Sequence, residues 1–372
     1  MNTIQFCAPC LFGIEGILAD ELKRMDAKNV QAQNGRVLFE GDEAMLARAN
    51  INSRYAERIQ IVMGEFEAKT FDALFEGTKA LEWERFIGKN DAFPVKGWSL
   101  NSALHSIPDC QAIVKKAIAT RLGAKYRTQW LVETDATVQV QFTIMKDRAM
   151  LLLDTSGVGL HKRGYRAVAG GAPIKETLAA AIVDLMRGRN APQVCDPCCG
   201  SGTLLIESAL AAYRIAPGIR RRFAAMNWSG VPESVWRDER TRARDLEMRD
   251  KQIVLRGGDI DPDCVELAMS NAQKAGVDAA FSVECADLAN FVPQGERGLV
   301  LCNPPYGERL LDVQQAEAIY RTMGKVFRPK EGWQYAIISP HEQFEELFGR
   351  KADKRRKLYN GMLKCQLFMY FR

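Results

Sequence analysis

From about residue 173 onward the apolar positions switch between two periods. Short strand-length runs ("QVCDPC", "QIVLRGGDI", "AAFSVECAD", "GLVLCNPPYG", "WQYAIISP") alternate with segments that are apolar at every third or fourth position: "TLLIESALAAYRIA", "PDCVELAMSNAQKAG" and "VQQAEAIYRTMGKVF". The second of these ends on Gly276, the residue a helix C-terminus favours. Strands separated by helices predict right-handed βαβ units and a mostly parallel sheet covered on both faces. The closing "KLYNGMLKCQLFMYF" predicts an antiparallel hairpin turning at Asn360-Gly361.

The preceding half has a different rhythm. "FGIEGILADELKRMDA" is helical and "GRVLFEGD" and "ERIQIVMGEFEA" alternate like strands, so residues 1–64 read as a small α+β unit. Residues 65–155 repeat the mixture, with helices "TFDALFEGTKALEWERFI" and "DCQAIVKKAIATRLGAKY" and strands "FPVKGWSLN", "ATVQVQFTIMKD" and "RAMLLLDTS". Residues 156–172, rich in glycine and basic side chains, read as a linker to a β/α domain over 173–372.

Composition narrows the class. With 372 residues and 47% hydrophobic content the chain can bury a large core. No window has the roughly 18 uncharged apolar residues of a membrane span, and "MNTIQFCAPC" lacks the shape of a secretory signal, so the expected setting is cytoplasmic. Ten cysteines in that setting are expected as reduced thiols. A net charge of +5 says little, but basic clusters at "RIAPGIRRRF", "RDERTRARD" and "GRKADKRRK" are either solvated helix faces or contacts for an anionic partner.

The informative motifs fall at strand ends, where ligands sit in a doubly wound sheet. In "CDPCCGSG" the glycines allow close backbone approach and the helix that follows offers free amides. The spacing fits neither a P-loop nor G-x-G-x-x-G. "GGDIDPD" and "CADL" end the next two strands; Asp259 is placed for ribose hydroxyls, Ile260 for an adenine face and Asp287 for an adenine amine. Each acid alone can equally cap a helix, but three at successive strand ends beside a glycine turn favour a ligand. "NPPYG" offers the side-chain oxygen of Asn303, the carbonyl of Pro304 and the ring of Tyr306: two acceptors for the protons of an exocyclic amine, and a stacking face. A turn made only for shape is the competing reading.

The series "DPCCGSGT", "GDIDPD", "CADL", "NPPYG" resembles the motifs of S-adenosylmethionine-dependent amino-group methyltransferases with a Rossmann-like fold. The upstream "LHKRGYRAVAGGAPIKETLAAAIV", with "APCLFGIEGILADEL", "GEFEAKTFDALFEG" and "AFPVKGWSLNSALHSIPDCQAIVKKAI", is similar to the THUMP-containing RNA guanine-N2 methyltransferases, specifically their bacterial ribosomal RNA members. The fold class expected is therefore α/β: a Rossmann-like methyltransferase domain with a mostly parallel seven-stranded sheet and a C-terminal antiparallel hairpin, preceded by an α+β ferredoxin-like and THUMP region. The resemblance implies that Asp196, Gly200 and Gly202 hold the methionine part of the cofactor, Asp259 the ribose and Asp287 the adenine. Pro173, Lys175, Glu176 and Thr177 would close over it, and Pro197, Thr203, Ile260 and Leu288 complete the cofactor set. Asn303, Pro304 and Tyr306 would grip the target amine, Asn303 also bordering the cofactor. The Cys198-Cys199 pair departs from the family loop, where an aromatic residue and one cysteine are usual.

A sulfonium methyl is already electrophilic, so the chemistry asks for orientation rather than a strong base. The expected partner is RNA, ribosomal ahead of transfer RNA, presenting a flipped or loop nucleotide. The insertion from "RIAPGIRRRF" through "RDERTRARD", with Arg220, Arg221 and Arg222, is the candidate RNA contact; Arg163 and Arg166 are further candidates. A zinc site pairing Cys7-x-x-Cys10 with Cys195-x-x-Cys198 is set aside because Cys195 lies in a buried strand, so no metal is expected. "NPPY" also serves adenine-N6 methylation of DNA and glutamine-N5 methylation of proteins, and a cofactor fold kept by a non-catalytic RNA-binding protein is the alternative from another class.

Overall fold

The computed structural model describes residues 3–166, 174–306 and 313–371. Two compact units emerge. The first takes Met1–Cys10, Leu18–Leu160 and Arg221–Arg242; the second takes Leu11–Ile17, His161–Arg220 and Ala243–Arg372.

The first unit is built on β1 (Ile4–Pro9), β2 (Lys28–Gln33), β3 (Arg36–Gly41), β4 (Gln60–Glu67), β5 (Val95–Leu100), β6 (Val140–Met145) and β7 (Arg148–Asp154). They form one seven-stranded sheet in the order β2-β3-β1-β4-β7-β6-β5. Its connections include α1 (Glu15–Arg24, whose start belongs to the second unit), α2 (Glu43–Asn52), α3 (Phe71–Ala80) and α4 (Ile107–Tyr126). Asp42 and Thr70 accept the Met45 and Ala73 amides at 2.9 and 3.1 Å, fixing the starts of α2 and α3. The sequence splits this region near residue 64, but the sheet does not. β4 pairs with β7 from Gln60↔Asp154 to Glu67↔Arg148, which removes the open edge that two separate pieces would each leave.

The insertion at 221–242 is anchored into the same unit by aromatic side chains. Phe223 and Trp236 stack with centroids 5.3 Å apart, the Trp228 indole donates to the Thr137 carbonyl at 3.1 Å, and Arg48 pairs with Glu239 at 2.7 Å. Over its described part, residues 156–166, the segment read as a linker is packed: Ser156 and Leu160 are buried in the first unit, Arg163 and Tyr165 in the second, and 167–172 lie outside the described residues. Gly157 and Gly164, both at positive φ, mark turns.

In the second unit β8 (Gln193–Asp196), β9 (Val254–Asp259), β10 (Phe281–Cys285), β11 (Gly298–Cys302), β12 (Trp333–Ser339), β13 (Lys354–Asn360) and β14 (Leu363–Tyr370) form a sheet in the order β10-β9-β8-β11-β12-β14-β13. β8 to β12 are parallel; β14 runs antiparallel to β12 and to β13. The helical segments are α5 (Glu176–Leu185), α6 (Thr203–Ala212), α7 (Glu233–Asp245, whose first part belongs to the first unit), α8 (Pro262–Ala275), α9 (Val313–Val326) and α10 (Phe344–Phe348). On one side Tyr320, Phe327, Phe344, Phe348 and Phe368 form a core of stacked and edge-on rings. The hairpin turn is Gly361-Met362, one residue later than predicted: Asn360 pairs with Leu363, and Gly361 takes φ +67° at the first turn position, as a type II′ turn requires. The strand order reverses between β8 and β11, which sets the crevice between their carboxyl ends.

Candidate cofactor and amine site

At that crevice the loop after β8 is tied to the end of β9 by backbone. Cys199 N donates to Gly258 O at 2.9 Å, Gly202 N to Cys199 O at 2.8 Å, and Gly200 N to the Asp259 carboxylate at 2.8 Å. Gly202 caps α6 at φ +77°, and a Cβ there would sit 3.2 Å from Ala268 Cβ, so glycine is required on both grounds. Gly200, at φ +50°, has no atom of the described residues within 4 Å of where its Cβ would stand. Pro197 and Thr203 are buried on either side. The free amides of the α6 N-terminus follow directly.

Asp196 ends β8 and is buried; it accepts the Cys198 amide at 3.2 Å. Burial pushes its carboxyl up to about 8, and the nearby Asp259 charge adds to the rise. A buried acid held this way is suited to a cation. Asp259 accepts two backbone amides, Gly200 N on one oxygen and Asp261 N at 3.1 Å on the other, so it shapes the loop after β8. Ile260 is 71% exposed. Asp287 is exposed and caps a short turn by accepting Ala289 N at 2.8 Å, while Leu288 is buried beneath it. The cap is thus an observed role of Asp287.

β11 delivers Asn303, Pro304 and Tyr306. The Tyr306 hydroxyl donates to Asn303 Oδ1, and Tyr320 braces the turn by donating to Pro305 O at 3.4 Å. The Tyr306 hydroxyl thus occupies the Asn303 acceptor expected to receive an amine. Burial holds the Tyr306 hydroxyl well above its ordinary range, keeping it a donor. Sequence reasoning missed Asn360, whose side chain lies within hydrogen-bonding reach of the Tyr306 hydroxyl; its only signal was the hairpin that ends there.

Before α5 the side chains are internal. Glu176 is buried and pairs with Arg166 at 3.0 Å; Arg166 also donates to Ile174 O at 3.1 Å and Thr203 Oγ1 at 3.3 Å. Thr177 is buried and Lys175 partly so, while Pro173 lies outside the described residues. Arg163, 2% exposed, reaches Glu207 at 3.5 Å, and Tyr165 donates to the same carboxylate at 3.0 Å. Burial raises the Glu176 carboxyl against the opposing pull of Arg166. Glu176 therefore pins the 161–166 segment to α5.

The expected RNA arginines divide. Arg163 and Arg166 are spent on internal carboxylates, and Arg221 is buried, donating to Val158 O at 2.6 Å; none of the three presents its charge to a partner. Arg220 is exposed, although it donates to Lys274 O at 2.7 Å, and Arg222 is exposed. The cysteines around the crevice are packing groups: burial pushes the Cys195 thiol up to about 12 and raises Cys199 and Cys302. Among the described residues no group of three or more His, Cys, Asp or Glu is placed to hold a metal ion, and no helix is long and apolar enough to cross a membrane.

Comparison with known proteins places these features in context. Residues 163–368 match the family described as RMKL-like methyltransferase domain, residues 5–60 the RlmL ferredoxin-like domain and residues 68–154 the THUMP domain. The chain is 41% identical, over 100% of its length and 97% of the relative, to a Bacillus subtilis (strain 168) protein provisionally named RNA methyltransferase YpsC. It is 35% identical, over 99% of its length, to the ribosomal RNA large subunit methyltransferase K/L of Methylococcus capsulatus, and spans about half (51%) of that longer protein. A crystal structure of SMU.472, provisionally assigned as a methyltransferase and complexed with SAH, superposes with TM-score 0.94 at 40% identity, covering 100% of this chain and 98% of that one. A Listeria monocytogenes protein, described by prediction as an N6-adenine-specific DNA methylase, gives TM-score 0.93 at 44% identity over 100% and 97% of the two chains.

Proposed function

This chain belongs to the RMKL-like methyltransferases carrying a ferredoxin-like and a THUMP domain, and we propose that it methylates the exocyclic N2 amine of a guanosine in RNA, the large-subunit ribosomal RNA foremost. The methyl donor is S-adenosylmethionine, which supplies an electrophilic methyl on a sulfonium. The residues present fit it: among the described residues no cation pairs with the buried Asp196 carboxyl, which suits the methionine ammonium, and none crowds the space over Gly200. In this reading Asp259 takes the ribose, the exposed Ile260 lies against the adenine and the exposed Asp287 accepts from the adenine amine.

The observation that carries the amine reading is the Tyr306 hydroxyl bound to Asn303 Oδ1. It supports Asn303 as an acceptor for a donor entering the turn. A base amine that displaces the hydroxyl donates one hydrogen bond to Asn303 Oδ1 and one to the Pro304 carbonyl, which aims its lone pair and favours the positive charge that grows on nitrogen. The displaced Tyr306 ring then becomes free to stack on the base. No group in "NPPY" is a strong base, so the proton leaves to water after transfer.

Mass spectrometry of nucleosides from ribosomal and transfer RNA, from cells with and without the gene, tests the reading. N2-methylguanosine should vanish from ribosomal RNA in the deletion; loss of N6-methyladenosine from DNA instead would overturn it. In the purified protein Asn303→Ala should leave S-adenosylhomocysteine affinity intact while lowering transfer by at least about 100-fold, and surviving activity counts against the amine grip.

A further inference from the structure

The basic run "GRKADKRRKLYNGMLK" has no part in the methyl-transfer chemistry, and it forms the outer edge of the second unit's sheet. Lys354, Arg355, Lys357 and, beyond the turn, Lys364 are exposed. Lysines on an edge strand also discourage edge-to-edge pairing. That purpose does not explain the apolar groups set among them. Phe12 is 55% exposed and meets Tyr359 edge-on, centroids 5.9 Å apart; Lys357 Nζ lies 5.3 Å from the Tyr359 ring; Met362 at the turn is 99% exposed.

Phe12 is held there by its own segment. Arg356 donates to Gly13 O at 2.6 Å, and Gly13 has φ +92° with its would-be Cβ 2.8 Å from Lys357 O, so glycine alone allows so close an approach. β13 then ends at Asn360, within reach of Tyr306 and hence beside Asn303.

We infer that this edge is a platform for the single-stranded RNA flanking the target nucleotide, an inference that rests on the RNA reading above. A base drawn out of its helix leaves its neighbours unstacked, and rings interleaved with cations next to the amine site receive them. Phe12 and Tyr359 supply the faces; Lys354, Lys357 and Lys364 supply the phosphate contacts.

Fluorescence anisotropy of the full chain with a labelled single-stranded oligoribonucleotide carrying one guanine tests the inference, with S-adenosylhomocysteine affinity measured by calorimetry in parallel. Phe12→Ala and Tyr359→Ala should each weaken RNA binding roughly 5- to 100-fold with cofactor affinity unchanged. Lys357→Gln should lower the slope of log affinity against log salt by about 0.7. Unaltered RNA affinity and slope in all three, with cofactor still bound, overturn the platform while leaving the methyltransferase reading in place. A wild-type chain that binds no cofactor overturns that reading instead. If Phe12→Ala fails to fold, the exposed Lys357→Gln variant decides alone.

Discussion

Burial lifts the Asp196 carboxyl from 3.8 to about 8, and this has opposite consequences for the free and the cofactor-bound protein. In the free chain the acid is neutral in both states below 3.8, so its contribution to stability is fully present there. As pH rises the unfolded chain ionises first, and the contribution is lost between 3.8 and about 8; at about 1.4 kcal/mol per pH unit the loss is at most about 5–6 kcal/mol. Binding reverses the demand if, as proposed, the methionine ammonium pairs with this carboxylate. Affinity for S-adenosylhomocysteine should therefore rise up to about tenfold per pH unit from about 6 to 8, with proton release, and fall again as the ligand's own α-amine loses its proton near about 8. Asp196→Asn should flatten both profiles, matching wild-type affinity at low pH and trailing it near pH about 8. Calorimetry in buffers of different ionisation enthalpy reads the affinity and the proton, and urea unfolding at two pH values reads the stability. Wild-type affinity that is flat across this range, with no proton released, refutes the pairing of Asp196 with the ammonium.

Two further outcomes follow from packing. Gly202→Ala should cost about 1–2 kcal/mol from the left-handed backbone alone, more with the 3.2 Å approach to Ala268, and should weaken cofactor binding; a variant as stable as wild type in urea would show that α6 can begin differently. Trp236→Ala should destabilise the first unit by about 3–5 kcal/mol, because a fully buried indole stacked on Phe223 leaves a cavity; a loss under about 1 kcal/mol in the same assay would mean the insertion is not anchored through it.

The strands of the second unit were legible because each is a short apolar run between punctuated helices, and the glycine loop, Asp259 and "NPPY" fell at the strand ends by that logic alone. What could not be read was which sheet a segment packs against. Residues 11–17 look continuous with α1 yet sit on the hairpin, and 221–242 look like part of the β/α half yet carry Phe223, Trp228 and Trp236 into the first unit. Periodicity reports which face of an element is apolar and is silent about the surface that covers it. A basic run is ambiguous for the same reason: Arg221 and Arg222 are adjacent, one buried on a carbonyl and the other exposed. Deleting residues 1–155 would therefore not isolate a clean catalytic domain, since it strips the tryptophans of their sheet and removes Phe12 and Gly13 from the hairpin.

The arginines before α5 show why a segment that reads as a linker is so costly in buried charge. Arg163 with Glu207, and Arg166 with Glu176, are ion pairs taken almost wholly out of water, a poor way to gain stability because desolvation offsets most of the attraction. What such pairs do supply is a unique geometry, since a shifted register would leave a buried charge alone. Arg166 joins Ile174 O at the start of α5, Glu176 in its first turn and Thr203 in the first turn of α6, so α5 and α6 are tied by one guanidinium beside the loop after β8. The same loop is held from its other side by Asp259 through Gly200 N. The loop after β8 is thus held between Arg166 and Asp259, side chains from distant parts of the chain. Among the described residues, none crowds the space above Gly200 in that loop.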